Sequence, residues 1–241
     1  MPSAARPFRV DAAPARITVD QAWRLRPAAA SPLWGLVGVG GDSLAALGPD
    51  LAAGMPAFIV AGPGGSGRST ILLTMAKSFL AAGTHVVLVT PRPSPLGSLK
   101  PAEGVAAAFT GTSLGEDELS RVLAAVEGPV AVLVDDAELL RDCDASGELS
   151  LILSPDPGPA FRRVLVFAGD PEAGLCARFG GWQVDARRAR RGALTAPASV
   201  SDGDLIGVRL ARSQAGQPPR PGRCLLNAGD GRLVTVTVPA A

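Results

Sequence analysis

A glycine-rich segment at residues 62–70 has the residue types and spacing of a phosphate-binding loop. Its sequence, GPGGSGRST, matches G-x-x-x-x-G-K-[ST] except that Arg68 stands at the lysine position. Glycines let successive backbone N–H groups curl around phosphate oxygens, and a helix that begins here adds its positive dipole end. The pattern predicts that this loop binds the phosphates of ATP with Mg²⁺, and that the Ser69 hydroxyl is a Mg²⁺ ligand. The predicted binding residues are Gly62, Gly64, Gly65, Ser66, Gly67, Arg68, Ser69 and Thr70.

Two adjacent carboxylates follow an apolar segment farther along the chain. Residues 130–134 (VAVLV) have the composition of a buried strand and lead directly into Asp135 and Asp136. In an α/β sheet the carboxyl ends of the strands meet at the ligand-binding edge, so these side chains are expected beside the loop. We predict that Asp135 holds a Mg²⁺-bound water and that Asp136 activates the attacking water. The simpler interpretation is that one Asp caps a helix.

The elements that must position these residues alternate between apolar strands and amphipathic helices. Strands are predicted at 57–61, 85–90, 105–109, 130–134 and 164–168. Helices are predicted at 69–82, ended by Gly83, and at 116–126, capped by Thr112 or Ser113. The alternation favours an α/β fold with a mostly parallel sheet between helices. A β-hairpin within 33–51 and a C-terminal β-ribbon, made of 205–208 and 224–238, are predicted as additions.

The same loop also satisfies the dinucleotide-binding pattern G-x-G-x-x-G through Gly62, Gly64 and Gly67. Thr90 and Arg92, at the end of the next strand, would suit the 2′-phosphate of NADP. An NADP-binding Rossmann domain is therefore an alternative. The Asp135–Asp136 pair argues against it, because a dinucleotide enzyme has no use for two carboxylates there.

With these motifs the chain resembles the FtsK/SpoIIIE-type translocase ATPases, and in particular the last ATPase domain of the type VII secretion motors (EccC-like) of actinobacteria. The resemblance spans roughly residues 31–241 and rests on the loop, the Asp pair and three further segments. These segments are 38–42 (GVGGD), 89–96 (VTPRPSPL) and 202–208 (DGDLIGV). The resemblance implies a RecA-like ATP-binding fold, neighbouring ATPase domains in a ring or in tandem, and DNA or a secreted protein as cargo.

Carried over residue by residue, the resemblance gives Arg68 and Asp136 catalytic roles and makes Ser69 and Asp135 the Mg²⁺ ligands. Two departures affect the expected rate. A planar guanidinium cannot reproduce the compact ammonium of lysine between β- and γ-phosphate oxygens, and Asp136 is one methylene shorter than the usual Glu. Weak hydrolysis is expected, and a degenerate docking or regulatory module is the alternative.

Composition and charge distribution bound the remaining expectations. The 241 residues carry a net charge of +1, which excludes a wholly basic nucleic-acid-coating protein. Residues 100–160 carry 12 acidic and 3 basic side chains, whereas 161–241 carry 12 basic and 6 acidic ones. We expect a cytoplasmic chain, or the cytoplasmic part of a membrane-anchored motor, with a linker or arm at 1–30 and an ATPase domain at 31–241. Arg187, Arg188, Arg190 and Arg191 are predicted to form a basic surface cluster that could contact DNA phosphates or, within the block Arg178 to Arg191, supply an arginine to a neighbour's nucleotide. The alternative is a solvated basic surface that pairs with the acidic block.

Overall fold

The computed structural model describes residues 13–154, 162–177 and 179–240. Within these ranges one mixed sheet organises the chain. Its strands are β1 (Gly38–Gly40), β2 (Ala45–Leu47), β3 (Ala57–Ala61), β4 (His85–Thr90), β5 (Val105–Thr110), β6 (Val130–Val134), β7 (Arg163–Gly169), β8 (Gly192–Leu194), β9 (Arg223–Asn227) and β10 (Val234–Thr237). Their order is β2-β1-β10-β9-β8-β3-β7-β6-β4-β5. The five strands predicted between residues 57 and 168 are confirmed as β3 to β7, with ends that differ by at most one residue.

The sheet has a parallel part and an antiparallel part. Strands β8, β3, β7, β6, β4 and β5 run parallel, and every residue of β3, β6 and β7 is buried. The C-terminal ribbon β9–β10 joins β8 to the N-terminal hairpin β1–β2. The ribbon and hairpin therefore extend the main sheet.

Strand order contradicts the Rossmann alternative. In that fold the strand after the loop helix lies directly beside the loop strand. Here β7 and β6 separate β4 from β3, which carries the loop. The glycine pattern shared with dinucleotide-binding enzymes thus sits in a different topology.

Helices cover both faces of the parallel strands. They are α1 (Val19–Arg24), α2 (Arg68–Ala81), α3 (Glu116–Ala125), α4 (Ser146–Ile152) and α5 (Trp182–Ala186). Helix α2 packs one face through Ile71, Met75 and Phe79, and Gly83 follows its C-cap at φ +78°. On the other face, Trp182 packs edge-on against Phe167 with ring centroids 5.1 Å apart.

Two local predictions were wrong. Helix α3 begins after Gly115 without a side-chain cap, so neither Thr112 nor Ser113 serves that role. The segment 205–208 is not a strand, because its first two residues end a 3-10 helix over Val200–Ile206. A capping box between Ser199 and Asp202 starts that helix and Gly207 at φ +73° ends it, which outweighs the apolar run that suggested a strand.

The described part of the predicted arm, residues 13–30, lies against the sheet extension. Ala240 N donates to Ile17 O over 2.8 Å, and Thr237 Oγ1 donates to Pro14 O over 2.9 Å. Ala22 is fully buried and packs with Trp34 in a small separate core. The boundary proposed at residue 30 stays a prediction. No helix among the described residues has both the length and the apolar character that crossing a membrane requires.

Candidate functional site

The glycine loop connects β3 to α2 and leaves open space on its outer side. A Cβ atom added to Gly64, Gly65 or Gly67 would meet no other heavy atom within 4 Å. Gly65 and Gly67 have φ values of +75° and +97°, which residues other than glycine rarely adopt. The loop therefore has the backbone freedom and the room that a phosphate chain needs beside its N–H groups.

The base of the loop is fixed by close packing and hydrogen bonds. A Cβ at Gly62 would lie 2.1 Å from Thr195 Oγ1, so no larger residue fits there. Ser66 Oγ donates to Pro63 O over 2.6 Å and lies 2.7 Å from Thr195 Oγ1. Thr195, which follows β8, thus holds the loop from the neighbouring strand; no sequence motif indicated it.

The Arg68 side chain turns into the protein. Its guanidinium is 8% exposed, and its Nη1 donates to Gly62 O over 2.9 Å. Its Nη2 forms a 2.9 Å ion pair with Asp136 Oδ1. The cation that was predicted to grip phosphate is therefore already paired with the carboxylate that was predicted to activate water.

The carboxylate of Asp135, which the sequence predicted to hold a Mg²⁺-bound water, is buried and accepts two hydrogen bonds. It is 2% exposed and follows β6 at the carboxyl edge of the sheet. Ser94 Oγ donates to its Oδ2 over 2.6 Å, and the backbone N–H of Asp136 donates to its Oδ1 over 3.1 Å. These bonds fix the orientation of the carboxylate. Ser94 lies in the proline-rich segment after β4, and no sequence pattern predicted this contact.

Asp136 itself has an uncommon backbone conformation, with φ +44° and ψ +49°. This left-handed residue turns the chain from β6 into a 3-10 helix over Ala137–Leu140, and its side chain does not cap that helix. The simple helix-cap interpretation of Asp136 is therefore wrong. Its carboxylate is instead used by Arg68.

A third carboxylate, Glu138, lies at the same edge and was not predicted. Its side chain is buried, and its Oε2 accepts a hydrogen bond from Asp170 N over 3.3 Å. Burial raises the pKa of Glu138, and nearby backbone N–H groups and Arg68 oppose that effect. The sequence offered no signal for it, because Glu138 stands in a short segment without helical periodicity.

The residues present fit a Mg·nucleotide better than an isolated metal ion. In the described ranges no group of three or more His, Cys, Asp or Glu side chains could hold a metal. Mg²⁺ bound with substrate phosphates commonly uses only one or two protein carboxylates and keeps several waters. Asp135 and Ser69 match that requirement in type, since one offers a carboxylate and the other a hydroxyl.

The arginine-rich segment is divided by the fold. Arg191 is 7% exposed, and its guanidinium donates to the carbonyl oxygens of four residues, so the prediction that it belongs to a surface cluster was wrong. These acceptors are Asp50, Ala53, Met55 and Ala57. Arg187, Arg188 and Arg190 instead line a groove of about 670 Å³ with Arg209 and Asp204. Residues 187–190, which contribute to this groove, come directly before β8. Because β8 is parallel to β3, these residues lie at the edge of the sheet opposite the loop.

Comparison with known proteins gives a fold but no close relative. No family model matches the chain, and no curated protein matches it. Among solved structures, the cytoplasmic domain of EssC superposes with a TM-score of 0.73 at 13% identity, over 98% of this chain and 49% of that one. EssC ATPases 2 and 3 from Geobacillus thermodenitrificans give 0.70 at 15% identity, over 94% and 44% of the two chains.

A third structure contains a bound peptide. EccC ATPases 2 and 3 of Thermomonospora curvata, in complex with a signal sequence peptide, superpose with a TM-score of 0.73 at 15% identity, over 96% of this chain and 44% of that one. The chain thus spans about half the length of the structures it matches. At these identities the likeness concerns the fold, and it agrees with the sheet order and the loop described above. The chain therefore shares the RecA-like P-loop fold of these EssC and EccC structures, as the resemblance noted from its sequence implied.

Proposed function

We propose that this chain is a nucleotide-binding domain of a secretion or translocase motor and that it binds Mg·ATP at the 62–70 loop. The observation that carries the proposal is the open glycine loop between β3 and α2, with the oriented carboxylate of Asp135 following β6 at the same edge. Backbone N–H groups would bind the phosphates. Ser69 and Asp135 would hold Mg²⁺ directly and through water, and the ion would neutralise phosphate charge.

We expect this chain to hydrolyse ATP slowly. Arg68 and Asp136 neutralise each other across 2.9 Å, so neither is aligned with a phosphate or an attacking water. Catalysis of phosphoryl transfer depends almost entirely on positioning and on electrostatic stabilisation of the transferred group. Because both groups must leave their pair before they can act, binding without rapid turnover is the expected behaviour.

The Ser69→Ala variant tests the binding site. We expect it to weaken ATP binding roughly tenfold in the presence of Mg²⁺ and to leave Mg²⁺-free binding nearly unchanged, because it removes one ligand of the ion. Titration calorimetry with and without Mg²⁺ measures both affinities.

The matched control is Ser201→Ala, at an exposed serine in the 3-10 helix over Val200–Ile206. It should bind ATP like the unmodified chain, and both variants should keep its melting temperature. An unmodified chain without affinity for ATP below about millimolar would contradict the proposal, as would equal Mg²⁺ dependence in the Ser69→Ala variant.

The cargo that we propose is a secreted polypeptide. Support comes from the fold shared with EccC ATPases 2 and 3, whose structure holds a signal sequence peptide. The burial of Arg191 also removes one cation from the segment that the sequence suggested for DNA. DNA as cargo is the alternative, and a gel-shift assay against duplex DNA at physiological salt separates the two.

Neighbouring ATPase domains, in a ring or in tandem, are proposed to complete the site. The first turn of α3 contains three acidic residues and follows β5, so it lies at the carboxyl edge of the sheet, the edge that also carries the loop. The arginine groove lies at the opposite edge. Opposite charges on opposite edges favour head-to-tail contact between domains. An arginine from the groove could then reach only a neighbour's nucleotide.

This arrangement predicts activity that depends on concentration. We expect specific ATPase activity to rise with protein concentration, to fall with salt, and to drop at least tenfold in an Arg187→Ala or Arg190→Ala variant, since an arginine finger is worth roughly 10³ to 10⁵ in rate. Steady-state assays over a hundredfold concentration range measure it. Arg212→Ala, at an exposed arginine outside the groove, is the control. Constant activity per molecule in all variants would mean that the groove supplies no finger. Arg178, at the start of the basic block from which the sequence predicts such an arginine, lies outside the described residues.

A second candidate function is a docking or regulatory module without turnover. The Arg68–Asp136 ion pair favours this function. Because Arg68 is already paired with a carboxylate, it contributes less to the affinity of the loop for phosphate. The calorimetric titration above separates the two functions, since a vestigial loop would bind no ATP.

A further inference from the structure

A buried carboxylate, Glu138, lies beside the glycine loop and takes no part in the proposed Mg²⁺ site. It is 7% exposed and stands three residues after Asp135, in the 3-10 helix over Ala137–Leu140. Its Oε2 lies against the end of β7, where a Cβ atom added to Gly169 would be only 2.5 Å away. Gly169 O in turn accepts a hydrogen bond from Gly62 N, in the first residue of the loop, over 3.2 Å. Glu138 and the loop are thus linked through one residue of β7.

The Glu138 carboxylate has few partners for a buried charge. An ionised carboxylate offers about four lone-pair positions for hydrogen bonds. The hydrogen bond that it accepts from Asp170 N is 3.3 Å long, and in the described part of the chain no basic side chain forms an ion pair with it. Asp136 differs, because Arg68 Nη2 lies 2.9 Å from its Oδ1. Of these two carboxylates, Glu138 is the one whose charge is not already neutralised by a bound guanidinium.

The surroundings of Glu138 make it a stronger base than an exposed glutamate. Burial raises the pKa of its carboxyl group, and the charge of Asp136 acts in the same direction. The charge of Arg68 and the backbone N–H groups of Glu138 and Asp170 oppose this increase. A general base is most effective when its pKa lies close to the working pH. Burial therefore shifts Glu138 in the direction that suits it to take a proton from water.

We propose that Glu138, and not Asp136, is the base that activates the attacking water in the unmodified chain. This rests on the proposed Mg·ATP site at the 62–70 loop. The Glu138 carboxylate takes one proton from a water molecule while the water oxygen bonds to the γ-phosphorus. The bond between that phosphorus and the β–γ bridging oxygen breaks, so that ADP and inorganic phosphate are formed. The carboxyl group then returns its proton to solvent.

A purely structural role for Glu138 leads to different expectations. In that case its carboxylate only holds Asp170 N at the end of β7, and the amide oxygen of a glutamine could accept the same hydrogen bond. A base must instead carry its negative charge close to the γ-phosphate, and that charge repels the nucleotide before reaction. The Glu138→Gln variant therefore keeps the structural contact and removes both the base and the repulsion.

The experiment measures nucleotide affinity and single-turnover hydrolysis in the same variants. In Glu138→Gln we expect Mg·ATP to bind at least about threefold tighter by titration calorimetry, and Mg·ADP, which has no γ-phosphate, to bind within about twofold of the unmodified chain. The single-turnover rate should fall roughly hundredfold, the lower end of what a general base contributes. Asp136→Asn should keep the rate within about fivefold, because the proton acceptor is still present.

Glu172→Gln is the matched control for the change of charge. Glu172 is exposed and follows β7 at the same edge of the sheet. Water and salt screen an exposed charge, so this variant should change neither the two affinities nor the rate. Glu138→Asp serves if Glu138→Gln does not fold, since it keeps the charge and withdraws the carboxylate by one methylene. It should lose roughly tenfold or more in rate.

Several results would overturn the assignment of Glu138. An unchanged rate in Glu138→Gln or Glu138→Asp would do so, as would a loss of rate in Asp136→Asn that exceeds the loss in Glu138→Gln. Equal changes in ATP and ADP affinity would show that the carboxylate does not face the γ-phosphate. If Mg·ATP binds and responds to Ser69→Ala but no phosphate is released in a single turnover, Glu138 is not a base and the proposed binding function stands. If neither nucleotide binds, both proposals fail.

Discussion

Replacing Arg68 by Lys and Asp136 by Glu in the same chain is expected to raise the rate of ATP hydrolysis roughly hundredfold. The double variant restores an ammonium that fits between phosphate oxygens and a carboxylate one methylene longer. A displacement of about 1 Å in a reacting group can cost on the order of 10²-fold in rate. It also changes the 2.9 Å Arg68–Asp136 ion pair that now occupies both groups.

The two single variants show whether the residues act together. Arg68→Lys alone and Asp136→Glu alone should each gain much less than the double variant, because both groups act on one transition state. Single-turnover and steady-state assays measure the rates, and calorimetry shows whether ATP affinity stays the same. Adding Ser69→Ala to the double variant should abolish the gain. An unmodified chain that already turns over at about 10 s⁻¹, the median for enzymes, would contradict the explanation.

The Arg191→Ala variant is expected to lose about 3 kcal/mol or more of unfolding free energy. Its buried guanidinium donates to Asp50 O, in the segment that connects the hairpin to β3, and to Ala57 O at the start of β3, each over 2.9 Å. Removing it takes this donor from the buried Ala57 O and from the partly buried carbonyls of Asp50 and Ala53, and each buried group left unsatisfied costs roughly 1 to 3 kcal/mol. Burial lowers the pKa of Arg191, and the nearby Asp50 opposes that effect.

Urea unfolding of three variants separates this role from general charge loss. Arg188→Ala, whose side chain is 77% exposed and pairs with Asp185 over 3.3 Å, should change stability by no more than about 1 kcal/mol. Arg191→Lys should fall between the two, since one ammonium cannot reach every carbonyl that the guanidinium fork reaches. Equal stability of Arg191→Ala and Arg188→Ala would show that the carbonyl contacts add nothing.

Local sequence patterns were sufficient to predict the parallel core and the residues along its carboxyl edge. Strands β3, β4 and β6 have the predicted ends because each is an apolar run that stops at a glycine, proline or acidic residue. The same local pattern located the loop at 62–70 and the two carboxylates after β6. The strand prediction failed at 205–208, because the first two of these residues belong to a 3-10 helix that starts at a capping box.

Which of these residues face one another depends on the order of the strands and could not be predicted from local patterns. Arg68 and Asp136 are 68 positions apart, and Ser66 and Thr195 are 129 apart, so their pairing depends on the order of strands in the sheet. Strand order also brings residues 15–17 beside the loop and buries Arg191. Periodicity and turn chemistry act over a few neighbouring residues, whereas a partner for a buried charge is chosen by packing across the whole domain. The sequence therefore predicts the position of the glycine loop, whereas the Arg68–Asp136 ion pair and the cavity that residues 15–17 form beside the loop follow from the fold.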